Sequence, residues 1–188
     1  MESPPIINAP AKKPGSKLIV RILAVLVGVF GVLAFLIYLG MPRPPKEGKL
    51  IQNFYTNHSS FEELRNMLQA DKNLRRVADW GVEINKPFFL GYPSTNVFPI
   101  DRFAKYLVLL KQTGGLVASR QDGENADPSI LLWGWGWAGT TRHIGICWME
   151  QAPTNQITTL DGFHNQIQYP RQVVFRHVDT KWYLWTDL

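Results

Sequence analysis

Ile130-Leu131-Leu132-Trp133-Gly134-Trp135-Gly136-Trp137, followed after Ala138-Gly139-Thr140-Thr141 by Arg142-His143-Ile144-Gly145-Ile146-Cys147-Trp148, is the most patterned stretch of this 188-residue chain. Both runs alternate in side-chain size with the period of a strand, and Gly139-Thr140 offers a two-residue turn with glycine first, so the stretch predicts a β-hairpin. That turn sets a register in which Trp137 opposes Arg142, Trp135 opposes Ile144 and Trp133 opposes Ile146. One face then carries the three tryptophans, two isoleucines and Trp148. The other carries Leu132, Gly134, Gly136, His143, Gly145 and Cys147. Glycine weakens a strand, so a bare glycine floor predicts that something approaches it closely: a helix, an aromatic ring or a ligand. A helix is the expected cover. Trp133, Trp135, Trp137 and His143 are the candidate binding residues, because exposed aromatic surface marks interaction sites.

His143 and Cys147 suggest catalysis or metal binding by residue type alone. Four residues along a strand span about 13 Å at ~3.3 Å each, too far for one ion or one direct proton transfer. A Cys–His pair would need His164 or His177 brought in by the fold. No nucleophile elbow, phosphate loop, zinc spacing or paired-acid motif is present. No catalytic residue, metal ligand or cofactor is therefore assigned.

Working toward the C-terminus, 151–172 is polar and turn-rich, and its length suggests a functional loop. The segments 173–178 and 181–185 predict a closing hairpin about Asp179-Thr180, with Phe175 opposite Leu184 and His177 opposite Trp182.

Toward the N-terminus, 116–120 reads as a strand. Residues 121–128 read as an exposed loop, whose Asp122, Glu124 and Asp127 lack the remainder of a calcium motif. Pro99 suits a helix start, with Phe103, Tyr106, Leu107 and Leu110 on one face and Gly114-Gly115 as the stop. The loop 86–99 holds Phe88, Phe89, Leu90, Tyr92, Val97 and Phe98, too many apolar groups for free solvent. They either cover the core or form a binding lip, and core cover is the expectation. Trp80 to Asn85 alternates as a short strand. From Lys49 to Ala78 apolar residues recur at threes and fours, as in one bent helix or two or three short ones, with Ser60 and Glu63 in the form of a capping box and Asp71 capping a further turn. The fold class expected is α+β: one antiparallel sheet of about five or six strands with helices on one face.

Ile22 to Met41 contains no charge and as a helix would reach ~30 Å, the thickness of bilayer hydrocarbon. It predicts a single-pass transmembrane signal anchor whose partner is the lipid bilayer. The divisions expected are a disordered basic, Pro-rich cytoplasmic tail (1–21), the transmembrane helix (22–41), a Pro-rich spacer (42–48) and an extracytoplasmic domain (49–188). The dense charge of the short tail favours tail inside and domain outside, periplasmic or at the surface in a bacterium.

The net charge of +5 does not indicate nucleic-acid binding. Lys12, Lys13, Lys17 and Arg21 lie ahead of residue 42, leaving sixteen basic against fourteen acidic residues in the remainder. The densest basic cluster, Arg65, Lys72, Arg75 and Arg76, reads as a solvated helix face. Cys147 is the single cysteine, so no disulfide closes within the chain. The function expected is a membrane-anchored, non-catalytic interaction module with a protein or envelope-component partner; the alternative is a tethered hydrolase using Cys147 with a histidine.

Overall fold

A computed structural model describes residues 16–40, 43–120, 127–135, 141–161 and 172–187, with the side chains of 16–20, 34 and 37–39 outside that description. The chain divides into two units, 1–43 and 44–188.

The first unit contains α1, Ser16–Gly40. Among the described residues no helix is long and apolar enough to cross a membrane. That finding overturns the transmembrane, single-pass and signal-anchor assignments, and with them the extracytoplasmic placement.

The second unit runs α2 (Glu47–Thr56), α3 (His58–Ala70), β1 (Leu74–Ala78), β2 (Gly81–Ile84), β3 (Phe89–Gly91), α4 (Ile100–Thr113), β4 (Val117–Arg120), β5 (Pro128–Trp135), β6 (Arg142–Trp148), β7 (Val173–Asp179) and β8 (Trp182–Asp187). The strands form one sheet in the order β3-β2-β1-β4-β5-β6-β8-β7, with every named pair antiparallel. Eight described strands replace the five or six expected. The class is α+β.

Side-chain alternation across this sheet builds the core. Val82, Val77, Ala118, Ile130, Ile146 and Leu184 are successive cross-strand partners from β2 to β8. Each is fully buried. Helices cover that face, α4 against β1 and α3 against β4 and β5. Phe54 of α2 and Phe61 of α3 meet the Trp182 ring at 5.5 and 6.1 Å between centroids. The row one residue over, on the reverse face, is Leu90, Glu83, Arg76, Ser119, Ser129, Cys147, Tyr183 and His177. Its polar members follow from period-two alternation on a sheet packed on one side.

Local chemistry explains where the helical segment stops. Leu50, Phe54, Phe61, Leu64 and Leu68 do line helices, but α3 ends at Asp71, and Leu74 opens a strand. Asp71 is therefore a helix C-cap rather than an N-cap, and Arg75 and Arg76 lie on β1, so the basic cluster is not one helix face. Ser60 caps nothing; its Oγ donates to Gln112 Oε1 at 2.9 Å, and the N-cap residue of α3, Asn57, makes no side-chain cap. At the end of α4, Gly114 takes a left-handed conformation (φ 66°) and the Gly115 amide donates to Leu110 O, the stop that Gly114-Gly115 predicts.

Part of the polar 151–172 segment is a structural strap. Glu47, in the first turn of α2, accepts hydrogen bonds from the Leu160 amide and from Thr159 Oγ1 (2.8 Å), and pairs with Arg176 at 3.3 Å. Its own amide donates to Asp161 Oδ1 at 3.0 Å. Leu160 is thereby held in the core at 1 % exposure.

Candidate functional site

The Trp-Gly hairpin is built in a register shifted by two from the expected one. Trp135 opposes Arg142, Gly134 opposes His143 and Trp133 opposes Ile144. A shift of two keeps every side chain on its face. A bulge between Leu131 and Trp133 then brings Leu131 onto Gly145 and Ile130 onto Ile146. Trp137 and the expected Gly139-Thr140 turn lie outside the described residues. Trp133 and Trp135 are half-buried, and Trp133 packs against the core.

Of the glycine floor, Gly145 is covered by an indole, not by a helix; Gly134 is exposed, and Gly136 lies outside the described residues. Gly145 pairs with Trp185 of β8, and a methyl group at Gly145 would lie 2.5 Å from Trp185 Nε1 and 2.7 Å from the Ile130 carbonyl oxygen. Trp185 reaches across to β5, where Nε1 donates to Ser129 Oγ at 3.0 Å. His143 is fixed by the residue opposite it: its amide donates to Asp187 Oδ1 and its Nδ1 lies 2.6 Å from Asp187 Oδ2. Neither Trp185 nor Asp187 stands out in the sequence, because their roles depend on β8 lying beside β6.

Cys147 is 4 % exposed, with Sγ 3.5 Å from the Tyr183 carbonyl. Burial, with a smaller contribution from the Asp127 charge, pushes the thiol well above its ordinary range, so it stays protonated. Tyr183 separates it from His177 in the cross-strand row, about 10 Å at ~4.8 Å per strand. His164 lies outside the described residues. His177 stacks edge-on with Tyr183 at 5.2 Å rather than opposing Trp182, because the closing hairpin is one residue out of the expected register. Phe175 opposes Trp185, and Leu184 opposes Arg176. Asp122 and Glu124 are outside the described residues, and among those described no group of three His, Cys, Asp or Glu side chains is placed to hold a metal ion.

A cleft of about 650 Å³ opens instead at the far end of the sheet, beside β2 and β3. Such a volume suits a small organic ligand. It is lined by the turn from α3 into β1, which includes Asp71, Lys72 and Asn73, and by the loops carrying Lys86 to Phe89 and Asn96 to Pro99. Leu74, Ile84 and Phe98, all buried, contribute its apolar lining. The second loop is shaped by a turn in which the Val97 and Phe98 amides both donate to Ser94 O. In the lining Phe88 is 71 % exposed and Val97 is also exposed. Of the two roles considered for the 86–99 loop, core cover describes Phe98, whereas these side chains are left in water.

The polar groups of the cleft divide into spent and free. Asp71 accepts from Arg102 Nε at 2.6 and 2.8 Å and from the Tyr106 hydroxyl at 2.8 Å. Its hydrogen bond raises the Arg102 pKa against the opposing effect of burial, while burial and the Asp71 charge push the Tyr106 hydroxyl far above its usual range. This trio ties α3 to α4 and fixes that part of the lining. Lys72 and Lys86 are exposed, and among the described residues neither ammonium forms an ion pair. The apolar excess of 86–99 is the sequence signal for this site; the approach of Lys72 depends on the β1–β2 hairpin and has none.

No protein-family model, curated protein or solved structure matches this chain.

Proposed function

We propose that residues 44–188 form a non-catalytic binding module whose site is the cleft between the α3–β1 turn and the 86–99 loop. The observation that carries this reading is an apolar-lined cavity of about 650 Å³ whose lining keeps Phe88 71 % exposed. Leaving an aromatic ring in water forgoes roughly 1.5–3 kcal/mol of burial, a loss that closing over a ligand recovers. The cleft supports binding rather than turnover, because Asp71, the carboxylate in its lining, is held by Arg102 and Tyr106. This site is favoured over the Trp133–Trp135 strand because Trp133 is packed against the core.

Titration with the neutral apolar fluorophore N-phenyl-1-naphthylamine tests the reading. One saturable site is expected, with affinity reduced at least fivefold in Phe88→Ser and in Val97→Ser. Both positions are exposed, so circular dichroism should be unchanged. Absence of saturable binding, or binding indifferent to both substitutions, would overturn it.

A further inference from the structure

The charges around the cleft identify the kind of ligand it takes. Lys72 and Lys86 both belong to its lining, at the end of the β1–β2 pair where the Asn85 amide donates to Asn73 O, and Asn73 and Asn96 add amide groups. The single carboxylate of the lining, Asp71, is already bonded to Arg102 and Tyr106, so its charge does not offset the lysines. Below these cations the lining is apolar, through Leu74, Ile84, Phe89 and Phe98.

From this juxtaposition we infer that the cleft binds an amphipathic monoanion: an apolar body seated on Ile84, Phe89 and Phe98, carrying one carboxylate, sulfate or sulfonate held between Lys72 and Lys86. The inference rests on the cleft being a binding site, as proposed above. Opposite charge on a ligand is selected because a cleft with low-dielectric walls concentrates the field of its unpaired cations. A neutral apolar molecule uses the floor alone; an anion of the same shape uses floor and rim together.

The experiment compares two fluorophores with the same paired aromatic body, neutral N-phenyl-1-naphthylamine and anionic 1-anilinonaphthalene-8-sulfonate, on the full chain. The sulfonate is expected to bind at least fivefold more tightly at low salt, and that preference should shrink toward unity in 1 M salt, where screening acts over ~3 Å. Lys72→Gln combined with Lys86→Gln should abolish the preference while leaving the neutral affinity within twofold. Equal affinity for the two fluorophores, or a preference untouched by the double substitution, overturns the inference and leaves the binding module standing. Failure of both fluorophores to bind overturns the binding module itself. Both lysines are exposed, so the substitutions spare the fold, and an unchanged neutral affinity verifies this in the same titration.

Discussion

Gly145→Ala places one methyl group where the sheet has no room. The new Cβ would lie 2.5 Å from Trp185 Nε1, 2.6 Å from Trp185 Cε2 and 2.7 Å from the Ile130 carbonyl oxygen. Ordinary contacts at such a carbon are ~3.5–4.0 Å, so the indole must retreat by about 1 Å. Retreat strains its hydrogen bond to Ser129, and the Ile130 oxygen belongs to backbone held in the β5–β6 ladder. Overpacking of this kind costs about 1–3 kcal/mol, and loss of a neutral hydrogen bond adds about 0.5–1.5 kcal/mol. Against this stands a gain of about 0.5–1 kcal/mol from the lower chain entropy of alanine in the unfolded state. The net expectation is destabilisation by about 2 kcal/mol, or a fall in Tm of about 4–8 °C for a domain of this size. Urea unfolding followed by tryptophan fluorescence measures it. Trp185→Ala removes one obstacle and leaves the other, so Gly145→Ala should cost at least ~1 kcal/mol less in that background, a coupling within the range for residues in contact. If the single variant lies within 0.5 kcal/mol of the parent, or the two substitutions are additive, the indole is not what fills the space over Gly145.

Three further outcomes follow from other contacts. Glu47→Ala should destabilise by about 2–3 kcal/mol, since it leaves the buried Leu160 amide without its acceptor; hydrogen exchange at Leu160 should rise well beyond that of the β5–β6 amides. Burial opposes ionisation of Glu83, but Arg76 and Arg75, both 2.6 Å away, hold its carboxyl below the ordinary value of 4.5. A lowered folded pKa contributes stability that is full above 4.5 and lost as pH falls through the folded value, so the urea midpoint of Glu83→Gln should fall less steeply below pH 4.5 than that of the parent. Cys147, buried and protonated, should resist a thiol-specific disulfide reagent at pH 8 in the native state and react fully in denaturant; rapid native labelling would revive a thiol chemistry.

What could be read from the sequence depended on whether its cause was local. The faces of β6 were legible because alternation is a property of consecutive residues: Ile144 and Ile146 share one side, and His143, Gly145 and Cys147 the other. The stop at Gly114 was legible for the same reason, as a positive φ is a local demand. Register was not. The bulge at Leu131–Trp133 and the one-residue difference in the β7–β8 hairpin are set by core packing, where a second bulge falls between His177 and Asp179. The strand at Leu74 was hidden because its apolar residue continues the helical spacing of Leu64 and Leu68, and a mixed apolar run cannot by itself separate the two periods. The candidate site divides similarly. Its apolar lining was visible in 86–99 as an excess, whereas Lys72 joins it only through the pairing of β1 with β2.

The strand order also bears on synthesis. From β1 to β6 each new strand is placed beside one already made, so that much of the sheet can assemble as the chain leaves the ribosome, at ~5–20 residues per second. β7 emerges before β8 yet lies outside it, with β8 between it and β6. The exposed edge of β6 must therefore wait, unprotected, until translation has passed both remaining strands, and it is there that a nascent copy is most open to pairing with the wrong neighbour.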